Sequence, residues 1–257
     1  MNKINIIKIG GAVIDDEMTL KSFLISFNSL KGKKILVHGG GRKATQWSKK
    51  MNIPVKMVNG RRITDSKTLE LITGIYAGQI NKTLVAKLQG LGTNSLGLSG
   101  IDGNLIESKK RIVNDIDYGW VGDVININID LLLILLNKKY VPVISPLTHD
   151  CNGQILNTNA DTVSSEIAIS LSKKYEVSLY YCFEHQGVME SLKDSNSLIE
   201  KIDLKMYESL LKKNILSEGM IPKIQNAFNG LNNGVKNVFI GLPEMINRKI
   251  KYTKIEL

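Results

Sequence analysis

An α/β fold on a largely parallel sheet is predicted by two features of the sequence. Short β-branched apolar runs alternate with segments of helical periodicity along the whole chain. Two of the early runs also end directly in glycines, the pattern of a strand turning into a helix.

The elements follow in order. Residues 4–9 read as a buried strand that breaks at Gly10-Gly11. Residues 19–30 place Leu20, Phe23, Leu24 and Phe27 on one helical face. Residues 34–37 form a second strand, which runs into Gly39-Gly40-Gly41 and a helix over 42–51. After Ile53-Pro54-Val55 and a loop, residues 66–91 are helical and interrupted by glycines. Residues 94–98 are a third strand, and 112–125 a hairpin or irregular excursion. Then come a helix at 130–137, a strand at 141–145, a helix at 161–173 and a strand at 178–183. Helices at 203–213 and 223–233, a strand at 237–240 and a last edge strand within 249–256 complete the chain. No repeat or linker marks a boundary. The best division follows the motif at 157–161, near residue 168, and gives segments 1–168 and 169–257.

Composition removes several function classes. Of 257 residues, 43% are hydrophobic and 23% charged, which argues against a disordered or fibrous chain. Cys151 and Cys182 stand far apart without metal-type spacing, so neither a zinc site nor a disulfide scaffold is expected. No signal-peptide pattern opens the chain, and its longest apolar run, 131–136, is too short to span a bilayer. A cytoplasmic protein without membrane partners is the expectation. The net charge of +10 raises the question of nucleic acid. The lysines and arginines occur as scattered pairs, without aromatics between them. A lysine-coated surface is the simpler reading, and no nucleic-acid partner is expected.

Five motifs carry chemistry. In Lys8-Ile9-Gly10-Gly11, a lysine ends a buried strand, which is costly unless an anion meets it, and the glycines allow close backbone approach. In His38-Gly39-Gly40-Gly41-Arg42, a glycine run between strand and helix gathers N–H donors, although it is not a P-loop. His38 reads as a turn residue satisfied by hydrogen bonding. Gly60-Arg61-Arg62-Ile63-Thr64-Asp65 offers guanidinium groups to a carboxylate, with Asp65 or Ser66 capping the next helix. Asn157-Thr158-Asn159-Ala160-Asp161 is either a capping sequence or a polar cradle. Gly219-Met220-Ile221-Pro222-Lys223 puts a cation at a helix start, against the dipole and better explained by a facing phosphate. No metal-ligand cluster or serine-nucleophile motif is present.

Taken in order, the five motifs resemble those of the amino acid kinase family over residues 6–226. The resemblance is nearest to members that phosphorylate N-acylated glutamate in Bacteroidetes-type bacteria. It implies a three-layer sandwich around a mainly parallel central sheet, of the carbamate kinase-like fold. Segment 1–168 would hold the acylglutamate and phosphoryl-transfer site, and 169–257 the nucleotide. The implied reaction moves the γ-phosphoryl group of ATP, with Mg2+, onto the γ-carboxylate of N-acetyl-L-glutamate or N-succinyl-L-glutamate in arginine biosynthesis. Lys8 and Lys223 would stabilise the phosphoryl oxygens, and Asp161 would hold both ammonium groups. Arg62 would bind the substrate α-carboxylate and Asn157 its amide region. Gly40 and Gly41 would serve the substrate. Gly10, Gly11, Glu184 and Gly187 would serve the nucleotide, and no residue is assigned to a metal.

Three departures from the family pattern matter. Arg61 stands where an apolar residue is common and suits a second carboxylate, such as a succinyl group. Glu184, within Cys182-Phe183-Glu184-His185-Gln186-Gly187, stands in place of an aspartate. The chain begins almost at its first strand, without the N-terminal helix of arginine-inhibited ring-forming relatives, so a homodimer without arginine feedback is expected. Kinases of other amino-acid carboxylates, such as an aminoadipate derivative or aspartate, and a non-catalytic ligand sensor are the competing readings.

Overall fold

The computed structural model describes residues 2–58, 60–113, 115–191, 193–194, 196–217 and 219–257. Its central sheet has strands β1 (Lys3–Ile9), β2 (Lys33–His38), β3 (Ser95–Ser99), β4 (Val141–Ser145), β5 (Glu176–Cys182), β6 (Lys201–Ile202), β7 (Asn237–Gly241) and β8 (Thr253–Ile255). Their spatial order is β6-β8-β7-β5-β1-β2-β4-β3. All neighbours are parallel except β7 and β8. The helices are α1 (Gly11–Asp15), α2 (Glu17–Ser29), α3 (Gly41–Lys50), α4 (Ser66–Thr73), α5 (Asn81–Gly90), α6 (Ile129–Asn137), α7 (Ala160–Ser172), α8 (Leu204–Lys212) and α9 (Met220–Asn232).

Strand β1 explains the layering. It lies between β5 and β2, so both its edges are paired, and helices cover both its faces, which suits the four isoleucines among its seven residues. Ile4 and Ile6 enter one apolar cluster with Val163 and Ile167 of α7 and Ile224 and Phe228 of α9. Ile7 and Ile9 enter another with Phe23 and Phe27 of α2 and Leu84 and Leu88 of α5. The result is the expected three-layer sandwich. Residue 168 falls inside α7, which packs on β1 and β5 alike.

Capping separates the structural helix starts from the open ones. Asp16, Asp65, Asn128, Asn159 and Asp203 each accept a backbone N–H in the first turn of α2, α4, α6, α7 and α8. Helices α1 and α3 instead start on Gly10 and Gly40, which have no side chain to cap them. Their first N–H groups are left facing outward from the ends of β1 and β2.

Several elements differ from expectation. The run 66–91 is a single helical rod with a π-helical insert, Gly74–Ile80, between α4 and α5. The excursion at 112–125 contributes only its second half as strand. Gly122–Ile127 pairs antiparallel with Ile106–Lys110, whose charged Glu107, Lys109 and Lys110 hide the alternation. Asn114 lies outside the described residues. These two segments join Leu147–His149 and Ile155–Asn157 in a separate four-stranded sheet. Helix α9 starts three residues early because Pro222 fits a first turn, where no intrahelical N–H bond is needed. The C-terminal strand β8 is not at the edge, because two residues of β6 pair outside it.

Candidate active site

The parallel strands end together at one rim, and there the first, second, fourth and fifth motifs converge. Lys8 is the penultimate residue of β1, and Asp161 lies in the first turn of α7. Lys223 lies in the first turn of α9. All three are buried. Lys223 Nζ donates to Asp161 Oδ2 at 2.7 Å, and Lys8 Nζ stands 2.8 Å from Oδ1. The Lys8 contact is an ion pair off the hydrogen-bond direction, and Oδ1 accepts no hydrogen bond. Two ammonium groups thus share one carboxylate, and one positive charge is left over at the rim.

The electrostatics follow from that sharing. Burial opposes the Asp161 charge, but Lys223 and Lys8 outweigh it and hold the carboxyl well below the usual range. Burial lowers the Lys223 pKa, Asp161 opposes this and Lys8 adds to it. Glu184 also lies within electrostatic reach of Lys223. The rings of Tyr181 and Phe183 sit 5.2 and 6.0 Å from Lys223 Nζ, an aromatic floor that excludes water from its inner side.

Two cavities open on either side of Lys8. One, of about 410 Å³, is lined by Lys8, Gly10, Gly11, Gly40, Gly41, Arg61, Arg62, Asn157 and Asp161. The other, of about 290 Å³, is lined by Lys8, Gly10, Glu184, Gly187 and Lys223 together with Phe183, Met189 and Leu216. Every residue that the family resemblance gave a role therefore reaches one cavity or the other.

The first cavity is locked from behind. Arg62 is buried, and its Nη2 donates to Gly41 O at 3.0 Å and Thr45 Oγ1 at 2.7 Å. Its Nη1 is buried without a hydrogen-bond partner. Asn157 Nδ2 donates to Thr64 Oγ1 at 2.9 Å. Arg61 lies beside Arg111 and Asp123, and burial, then Arg111, disfavours its charge. His38 is fully buried, with Nδ1 2.8 Å from Gly39 O and Nε2 3.1 Å from Asn81 Nδ2. Burial pushes its pKa down to about 4, so it is neutral and structural, as the sequence suggested.

The glycines divide by task. Gly10 does not offer its N–H to the cavity, because Cys182 O accepts it at 3.1 Å. Gly39 N–H is likewise taken by Ile9 O. A Cβ at Gly40 would lie 2.8 Å from the Tyr76 ring, so this turn tolerates no side chain. A Cβ at Gly41 would meet nothing within 4 Å. At Gly187 a Cβ would collide with Thr253 Oγ1 and Leu198 Cδ1, so the chain can pass β8 only as glycine.

Sequence reasoning gave no role to Arg42, the last residue of the second motif, and missed Thr45 and Tyr76; all three also line the first cavity. Tyr76 belongs to the π-helical insert, which turns its ring onto Gly40. The one signal was the pair Gly74 and Gly78 inside an otherwise helical run.

The acidic side chains lining these cavities are Asp161 and Glu184, and both are already paired with cations. Among the described residues no group of three His, Cys, Asp or Glu side chains could hold a metal. The donor set fits a divalent cation that arrives bound to a polyphosphate, not one caged by the protein.

This fold and this site define a family of phosphoryl-transferring enzymes. The chain belongs to it, since the profile of the Amino acid kinase family matches residues 3–241. It is 50% identical over 252 residues to Acetylglutamate kinase of Cytophaga hutchinsonii, covering 96% of each chain. A protein of Streptococcus mutans UA159, smu.665, superposes with a TM-score of 0.80 at 26% identity, covering 98% of both chains. Carbamate kinase from Giardia lamblia, solved with AMP-PNP, shares the fold with a TM-score of 0.68 at 14% identity over 99% of this chain and 98% of that one. Among the described residues no helix is long and apolar enough to cross a membrane.

Proposed function

We propose that the protein is an acetylglutamate kinase of arginine biosynthesis. It transfers the γ-phosphoryl group of ATP to the γ-carboxylate of N-acetyl-L-glutamate. The observation that carries this reading is the buried Lys8–Asp161–Lys223 group at the junction of the two cavities. Asp161 holds the two lysines, and the first cavity takes the acid while the second takes the nucleotide.

In this reading a γ-carboxylate oxygen of the substrate attacks phosphorus in line. The new bond is acyl-oxygen to phosphorus, and the bond broken joins the γ-phosphorus to the bridging oxygen, which leaves on ADP. A carboxylate needs no general base, and the site offers none. Lys8 and Lys223 neutralise the charge that builds on the transferring and leaving oxygens. Arg62 takes the α-carboxylate, Asn157 orients the amide, and Gly40 and Gly41 let the substrate approach the backbone. Gly11 offers an N–H to the phosphates, while Gly10 and Gly187 keep the chain close to them. Glu184 borders the nucleotide cavity. Mg2+ would be held by the ATP phosphates, whose charge it would screen, with no residue of this chain assigned to it.

A second reading concerns the acyl group. Arg61 lines the same cavity next to Arg111, which suits the extra carboxylate of N-succinyl-L-glutamate. Segments 1–168 and 169–257 act as acid-binding and nucleotide-binding lobes, and the enzyme works in the cytoplasm as a homodimer, whose mass light scattering would register.

The test is ATP-dependent acyl-phosphate formation, trapped with hydroxylamine, using the acetyl and succinyl acids side by side. Turnover of N-acetyl-L-glutamate is expected. A higher kcat/KM for the succinyl acid, lost in Arg61→Leu, would assign the acyl group to succinyl. Turnover of neither acid by folded protein with magnesium would remove the proposal.

A further inference from the structure

Arg42 closes the second motif but has no role in the kinase reading or in the lysine pair, yet it occupies the strip between the cavities. It stands in the first turn of α3, where a cation works against the helix dipole and uncapped N–H groups already point outward. Its stem lies flat on Gly11, where a Cβ would come within 3.3 Å of Arg42 Cγ. Its Nη2 reaches across to Glu184 Oε1 at 2.7 Å.

That ion pair joins the two halves of the site. Arg42 lines the first cavity and Glu184 the second, and both cavities share Lys8 and Gly10 beneath the pair. The same Glu184 acts on Lys223 from the nucleotide side. Asp15 is the other acid in electrostatic reach of Arg42. The side chains of Arg42 and Glu184 are 58% and 42% exposed. A pair this exposed adds little to folding, so stability does not account for it.

Charge does account for it. The two lysines share one carboxylate, which leaves a single positive charge to meet a polyphosphate and a substrate carboxylate. With its stem on Gly11 and its guanidinium at Glu184, Arg42 brings a planar donor group to the strip where those groups would meet. We propose that Arg42 is a third phosphate-binding cation of the transfer site, and that Glu184 is the positioning residue that holds its guanidinium on the strip between the two cavities. This deepens the kinase reading and rests on it for the identity of the acid, though not for nucleotide binding.

Calorimetry with Mg-AMP-PNP and steady-state kinetics test it, on Arg42→Met, Arg42→Lys, Glu184→Gln and the Arg42→Met/Glu184→Gln double variant. Arg42→Met is expected to weaken AMP-PNP binding about tenfold and to lower kcat by a similar factor, with KM for N-acetyl-L-glutamate within about twofold of wild type. Arg42→Lys restores part of both losses. Glu184→Gln gives about a threefold loss in the same direction and no further loss in the Arg42→Met background, as coupling through Arg42 requires. All variants melt near the wild-type temperature. Wild-type AMP-PNP affinity in Arg42→Met, or a Glu184→Gln loss that persists in full in the double variant, overturns the proposal. Should wild type bind AMP-PNP yet phosphorylate neither acylglutamate, the functional reading fails while the binding measurements still decide the role of Arg42.

Discussion

The two cavities that meet at Lys8 are built by different means. The first is polar and cationic, walled by strand ends, glycine turns and an arginine fixed by Gly41 and Thr45. The second shares Lys8 with it and adds Lys223, Glu184 and His185, but sets Phe183, Val188, Met189, Ile215, Leu216 and Met220 around its glycines. A small dicarboxylate suits the first and a purine with its sugar suits the second. On the proposed assignment, charge would specify the acid, while shape and apolar side chains would accept the nucleotide. Only the strip between them, with its lysines, serves both.

The contrast can be broken at its shared element first. Asp161→Asn removes the anion that both ammonium groups share and leaves two cations buried together. A loss of about 3–5 kcal/mol in unfolding free energy is expected, with activity abolished, and denaturant melts and the hydroxamate assay check both. Arg62→Met touches the first cavity alone. It is expected to raise KM for N-acetyl-L-glutamate about 100-fold while KM for ATP stays within about threefold, read from initial rates with each substrate varied. Equal effects on both substrates would contradict the division.

A third effect separates buried titration from the site. The His38 pKa is held down to about 4, below its unfolded value, chiefly by burial. The unfolded chain therefore binds more protons between the two values. Stability rises with pH across that window and is lost as pH falls from 6.5 towards 4. On the order of 3 kcal/mol is involved, and urea melts of wild type and His38→Gln across that range should diverge in slope. The Asp161 carboxyl is depressed, so its stabilising share is present above the ordinary carboxylate range and vanishes only in stronger acid. The two windows do not overlap. The smallest effects come from the glycines. Gly40→Ala meets Tyr76 and Ile80 and is expected to cost about 1–3 kcal/mol, while Gly41→Ala has free space and should stay within about 0.5 kcal/mol by thermal melts.

The legibility of the sequence follows the same division. The β1 and β2 strands, with their glycine ends, announced themselves because a strand covered on both faces is apolar throughout. Lys8 and Lys223 stood out because a cation at such a place needs an anion, whereas Asp161, open to reading as a cap, was given that part only by the family resemblance. The strand Ile106–Lys110 was not, since its polar residues break the period-two pattern. The π-helical insert was equally hidden, because its register change depends on how Tyr76 packs against Gly40. The Gly10 N–H was expected to be free, and only the pairing of β1 with β5 shows why Cys182 takes it. The Arg42–Glu184 pair spans 142 positions in sequence, beyond any local pattern.

The account stands on the lysine pair as the point where the two substrates meet, and Lys223→Met tests it most directly. Its kcat for acyl-phosphate formation should be measured beside its dissociation constant for N-acetyl-L-glutamate. A fall in kcat of about 100- to 1000-fold, with the acid still bound within about threefold of wild type, is the expected result. A variant that binds the acid and turns it over at the wild-type rate would contradict the account.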